Sequence, residues 1–145
     1  MKKLLLGLTI CFSSSTFAMS ENCTIATQMF EDAGMVMVDA MEMAVNDGET
    51  LKTTTVSYDE FSNWYKNVYP KKISRVMKKY DQYKTVSGNN PITLGLVTIL
   101  ETNNFAKATD NYMQSKDKSL IKPITDTQDR ITKAYERLAQ DCGKR

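Results

Sequence analysis

Apolar residues recur every three or four positions along most of this chain of 145 residues. That is the period of a half-buried α-helix, not the alternation of a strand. In ENCTIATQMFEDAGMVMVDAMEMAVNDG, one stripe runs through Cys23, Ala26, Phe30, Ala33, Met37, Ala40 and Ala44, and Met29, Val36 and Met43 widen it. Asn46, Asp47 and Gly48 read as a stop, since Gly adopts the left-handed cap freely. ETLKTTTV then reads as a connection.

A second helix opens on Ser57-Tyr58-Asp59-Glu60, the pattern of a capping box. Phe61, Tyr65, Tyr69, Ile73, Val76, Tyr80 and Tyr83 then keep one phase. Pro70 falls inside the run, where it removes a backbone donor. Because the apolar phase continues through it, one kinked helix is expected rather than two separate ones. SGNNP at residues 87–91 is a turn.

The third segment, ITLGLVTILETNNFAKATDNYMQSK, suits a helix with Leu94, Val97, Leu100, Phe105, Ala108 and Tyr112 on its buried face. Its opening ITLGLVTI also alternates and is β-branched, so a strand start competes there. DKSLIKP is a break. A fourth helix starts near Pro123, carries Ile124, Ile131, Tyr135, Leu138 and Cys142, and is capped by Gly143. The expected fold class is therefore all-α, an up-down-up-down four-helix bundle with its second helix kinked at Pro70.

The chain's first residues alter the charge and cysteine arithmetic. Lys2 and Lys3 precede the apolar run LLLGLTICF at residues 4–12, and SSSTFA follows with small residues at Thr16 and Ala18. This is the layout of a cleaved secretory signal covering residues 1–18. A lipoprotein signal ending at Cys11 is the rival, and bulky Ile10 argues against it. Residues 19–145 then form a single helical domain of 127 residues, expected in the periplasm. Without Lys2 and Lys3 that domain has as many bases as acids, so nucleic acid is not expected as a partner of an exported, net-neutral chain.

Two cysteines remain, Cys23 and Cys142. In an oxidising compartment an even count reads as a disulfide, and one intramolecular pairing exists. Free thiols or bonds between copies are the alternative. An up-down-up-down topology returns the end of the fourth helix to the start of the first, so the pairing and the bundle agree.

The chain has no histidine. That removes the commonest general base, the commonest zinc ligand and the usual haem ligand. No Cys-x-x-Cys-His motif and no Gly-rich phosphate loop occur, so neither an enzyme, a haem protein nor any other cofactor is expected. Methionines crowd the first helix at Met29, Met35, Met37, Met41 and Met43. Thioethers suit Cu(I), and Met37 and Met41 share a face, which makes a soft-metal or small-ligand carrier an alternative function. Adaptable core packing is the plainer role for those side chains. The carboxylate pair Asp39 and Glu42 also shares a face and reads as solvated acidic surface.

Charge is unevenly distributed. Residues 19–60 hold nine acids and one base, and residues 61–145 hold 16 bases and eight acids. The basic density peaks at Lys66, Lys71, Lys72, Arg75, Lys78, Lys79 and Lys84, interleaved with tyrosines. Three uses suit it: a solvated face paired with the acidic first helix, an acidic protein partner, or an anionic envelope surface. The last would make this an envelope-associated structural protein.

The stretch FSNWYKNVYPKKISRVMKKYDQYKTVSGNNP, with Trp64, Tyr65, Pro70, Ile73, Tyr80 and its closing Asn-Pro, resembles the small all-helical periplasmic immunity proteins that neutralise type VI secreted peptidoglycan amidases. FAKATDNYMQSK in the third segment extends the likeness. The resemblance implies a helical inhibitor, with a homodimer as one form, that plugs the cleft of a secreted peptidoglycan hydrolase. The partner-binding residues expected on this reading are Trp64, Tyr65, Tyr69 and Tyr80 as aromatic anchors, with Lys71, Lys72, Arg75, Lys78 and Lys79 steering an acidic partner. The aromatics serve equally well as core, since a buried Tyr keeps its hydroxyl near water.

Overall fold

The computed structural model describes residues 19–45 and 56–143. The expected signal at residues 1–18, the stop at Asn46-Asp47-Gly48 and most of the connection after it lie outside the described residues. Five α-helices follow in order: α1 (Glu21–Val45), α2 (Tyr58–Asn67), α3 (Tyr69–Lys79), α4 (Pro91–Ser115) and α5 (Ile121–Gly143). With α2 and α3 counted as one broken rod, they make a four-rod, all-helical bundle. No strand occurs among the described residues.

Local chemistry sets the helix ends. The Ser20 hydroxyl accepts from the Cys23 amide at 3.3 Å at the start of α1. At α2 the capping box forms in full: Ser57 Oγ accepts from the Glu60 amide and the Glu60 carboxylate accepts from the Ser57 amide. Asn90 caps α4 through the Ile92 amide at 3.0 Å, and Pro91 sits in the first turn, where a missing N–H costs nothing. This resolves the strand-or-helix ambiguity of ITLGLVTI in favour of helix. The turn before it uses Gly88 at φ 79°, a left-handed value that favours glycine.

The kink lies at Val68, two residues before Pro70. The Val68 amide still reaches the Trp64 carbonyl at 2.8 Å, and the Lys71 and Lys72 amides both reach back to the Val68 carbonyl. Pro70 has no amide to offer Lys66, so the ladder breaks there and restarts as α3. The break before the last rod is shorter than expected. A 3-10 turn at Lys118–Leu120, capped by Asp117, leads directly into α5 at Ile121.

The rods alternate in direction. Asp32 meets Lys79 and Asp39 approaches Lys72, so α3 runs against α1. Tyr69 bonds Asn103, while Tyr65 lies near Asp110 further along α4, so α4 runs against the broken rod. Glu101 pairs with Arg130 at 2.8 Å, and Asn89, just before α4, bonds Arg137, so α5 runs against α4. α4 is the central rod, with α1 along one side and α5 along the other. The ends are clasped by the disulfide Cys23–Cys142, whose Cα atoms are 5.8 Å apart. Phe30 and Tyr135 meet edge to face near this end, at 5.9 Å between centroids.

Of the first stripe, Cys23, Ala26, Ala33, Ala40 and Ala44 are buried, but Phe30 and Met37 are only half-buried, and Met29 and Val36 from its widened edge take their place in the core. The third stripe is corrected. Phe105 and Tyr112 are buried as expected, Leu94 and Ala108 are half-buried and Val97 and Leu100 are exposed, and α4 also buries Ile92, Gly95, Thr98, Ile99, Thr102, Ala106, Thr109 and Met113. α1 buries mainly alanines, and the two rods approach closely at Gly95.

Gly95 shows how close. A Cβ placed there would lie 2.8 Å from Met29 Cβ and 2.6 Å from its sulfur. At Gly34, in mid α1, a Cβ meets nothing within 4 Å. The same substitution should therefore act in opposite directions. Gly34→Ala should stabilise by about 0.5–1 kcal/mol through helix propensity alone. Gly95→Ala gains the same propensity but forces the rods apart, for a net loss of about 1–2 kcal/mol. Urea unfolding midpoints of the two variants check this, and a gain at both sites would refute the close approach.

Candidate functional site

The basic, tyrosine-rich stretch divides into three faces around α2 and α3. The inner face is core. Trp64 and Tyr80 are buried, as are Phe61, Tyr69, Ile73 and Val76. Trp64 packs between Phe61 (5.8 Å) and Tyr69 (5.6 Å). The Tyr69 hydroxyl donates to Asn103 Oδ1 at 2.8 Å, and burial raises its pKa well above the usual tyrosine value. Of the expected aromatic anchors, Trp64, Tyr69 and Tyr80 thus hold the bundle together in the free chain, and Tyr65 alone is half-exposed.

The second face turns toward α1. Lys79 donates to Asp32 at 2.6 Å, and the Tyr80 hydroxyl donates to the same oxygen at 2.7 Å. Lys72 pairs with Asp39. Asp32 is partly desolvated, which alone would raise its pKa, but the bonds from Lys79 and Tyr80 outweigh that and hold it below the usual carboxylate range. Tyr80 is pushed up to about 12, chiefly by burial and then by its bond to Asp32. Lys72 and Lys79 are therefore occupied within the chain.

The third face is open. Lys71, Arg75 and Lys78 are exposed and have no carboxylate partner among the described residues. Their spacing of three and four residues sets them along one side of α3. Next to them runs a groove of about 610 Å³ between the broken rod and α4, lined by Tyr65, Tyr69, Ile73, Met77, Lys78 and Asn103 among others. It exists because α3 packs along α1 and diverges from α4. Two of its lining rings, Tyr65 and Tyr69, stack at 5.3 Å, and the fully buried Phe61 stacks on Tyr65 from the core at 6.0 Å. Met77 on one wall is 56% exposed, and Leu100 is 57% exposed. Leu100 shares a face of α4 with Leu96 and Asn103 at helical spacing. Met77, Leu100 and Asn103 are absent from the expected site. The available signal was Met77 itself, an apolar residue four positions after Ile73 that falls outside the predicted buried stripe.

Asp110 sits at one end of this groove's wall, near Tyr65 and Lys66. One of its carboxylate oxygens is buried without a hydrogen-bond partner, and burial raises its pKa despite the nearby Lys66. A pKa raised on folding means the ionised group opposes folding, and stability falls as pH rises through the folded pKa. Asp110→Asn should therefore raise the denaturation midpoint at pH 7, by on the order of 0.5 kcal/mol after solvent screening. The gain should vanish at pH 3, where both forms are neutral. Equal gains at both pH values would place the effect elsewhere.

Met37 and Met41 both pack against the core from α1. Among the described residues, no three His, Cys, Asp or Glu side chains are grouped to hold a metal ion, and no helix is long and apolar enough to cross a membrane. The fold and site define a disulfide-closed helical bundle with one open basic face beside an apolar groove. No family model, curated protein or solved structure matches the chain.

Proposed function

We propose that this protein is exported, cleaved after Ala18, and acts in the periplasm by binding another protein through the open face of α3. One observation carries this: Lys71, Arg75 and Lys78 are left exposed and unpaired beside an open apolar groove, while Lys72 and Lys79 are neutralised by α1. Exposed apolar patches edged by charge are a common form of protein-binding surface. The narrower form of the proposal is an inhibitor or immunity protein against a cell-wall hydrolase. It is supported by the likeness of residues 61–91 to periplasmic immunity proteins.

The test uses the oxidised chain from Met19 as bait in envelope extract, followed by purification of any captured protein and a measured Kd. The triple variant Lys71→Glu, Arg75→Glu, Lys78→Glu should weaken binding at least about tenfold, with strong salt dependence in the parent. A captured hydrolase whose peptidoglycan cleavage is blocked supports the inhibitor role. Binding indifferent to the charge reversals and to salt overturns the assignment of this face.

A further inference from the structure

We infer that the groove between α2–α3 and α4 receives a single amphipathic, acidic helix of the partner, seated as an additional rod of the bundle. This rests on the protein-binding reading above and names the segment that the site takes.

The groove is an elongated channel rather than an enclosed pocket. Tyr65, Tyr69, Ile73 and Met77 line it at intervals of four residues, and of its lining residues Asn103 alone comes from α4, with exposed Leu100 one turn before it on that helix. From Tyr65 to Met77 the wall runs about 18 Å, roughly three helical turns. Side chains that repeat every turn along α2 and α3 offer a ridge that another helix can mesh with. An extended strand would need free backbone edges, and both walls are helices with their backbone bonded internally.

The charges around the channel select the occupant's sign. Lys66 and Lys78 are among the groove's lining residues, and Lys107 is exposed one turn beyond Asn103 on α4. Lys71 and Arg75 extend the positive surface outward. One acid, Asp81, is itself a lining residue, and Asp110 lies near Tyr65. Asp81 is already paired with Lys84 at 3.1 Å, and Asp110 has Lys66 for a neighbour. A helix with apolar residues on the floor-facing stripe and carboxylates on both flanks meets these groups in register. A basic helix would face repulsion from Lys66, Lys71, Arg75 and Lys78.

The probe is a synthetic, end-capped peptide of about 14 residues, leucine at helical spacing with glutamate on the flanks, titrated into the isotope-labelled oxidised protein. Two control peptides have the same composition scrambled, or lysine in place of glutamate. Helix formation by the acidic peptide, with shifts confined to Tyr65, Tyr69, Ile73, Met77, Leu100 and Asn103, supports the inference. Met77→Asp and Leu100→Asp change exposed positions and should leave the fold intact. Each should raise the peptide Kd at least about tenfold.

Shifts confined to Lys71 and Arg75, with the two groove variants binding normally, overturn the groove inference and leave the basic-face reading standing. No shift anywhere at millimolar peptide overturns the inference, while the captured partner still tests the broader function by its own assay. Concentration-dependent self-association abolished by Met77→Asp would assign the groove to a second copy of the chain and likewise overturn it.

Discussion

Removing the Cys23–Cys142 bond should lower stability by up to about 4–5 kcal/mol, the largest single effect expected in this protein. The bond joins residues 119 positions apart, so it restricts nearly the whole unfolded chain. The entropic figure is an upper one, because residual structure in the unfolded state reduces it. A domain of this size has on the order of 5–15 kcal/mol in total. The variant Cys23→Ala, Cys142→Ala should therefore still fold at 25 °C, with its helical content retained and its urea midpoint far lower. The loss should also be localised. α1 and α5 are held together chiefly through α4 and touch each other mainly near the disulfide and at Phe30–Tyr135. Without the bond, amide exchange should rise first at the start of α1 and the end of α5. Equal midpoints for the oxidised chain and the double variant would refute the clasp as a stabilising element.

Much of the fold was legible because three independent signals agreed. The helical phase of α1, the capping box at Ser57 and Glu60, and the placement of Cys23 and Cys142 at opposite chain ends each pointed to the same bundle. The α4 face was misread because hydrophobicity favours Leu94, Val97 and Leu100 over glycine and threonine. Against an alanine-rich partner, though, closeness of approach decides which face turns inward. At Gly95, where a Cβ would collide with Met29, smallness decides, and Thr98, Thr102 and Thr109 are buried on the same helix. The site was half legible. The basic stripe was visible as a period of three and four, but its division into paired and open faces was not. Successive helix positions differ by about 100°, so Lys71 and Lys72 point to different neighbours. Only the register of α1, which sets Asp32 and Asp39 opposite Lys79 and Lys72, separates them. The groove depends on the divergence of α3 from α4, which no local pattern encodes.

Trp64→Ala should cost about 3–5 kcal/mol of stability, the second large effect. The ring is 8% exposed and fills the space between Phe61 and Tyr69, so its loss leaves a cavity where α2 meets α1 and α4. At this chain length the change corresponds to a fall in Tm on the order of 10–20 °C. Alanine at Lys71, Arg75 or Lys78 should each change stability by no more than about 0.5 kcal/mol, because those side chains make no contact the fold needs. The contrast divides the expected binding residues by their role in the free protein. Calorimetric unfolding of the four variants checks it, and Trp64→Phe, which keeps most of the apolar volume, should recover much of the loss. Trp64 is the chain's one tryptophan, so its native emission should also be blue-shifted and move red on unfolding. A Trp64→Ala protein as stable as the parent would show that the ring is not a core element, and would return it to the partner-facing surface.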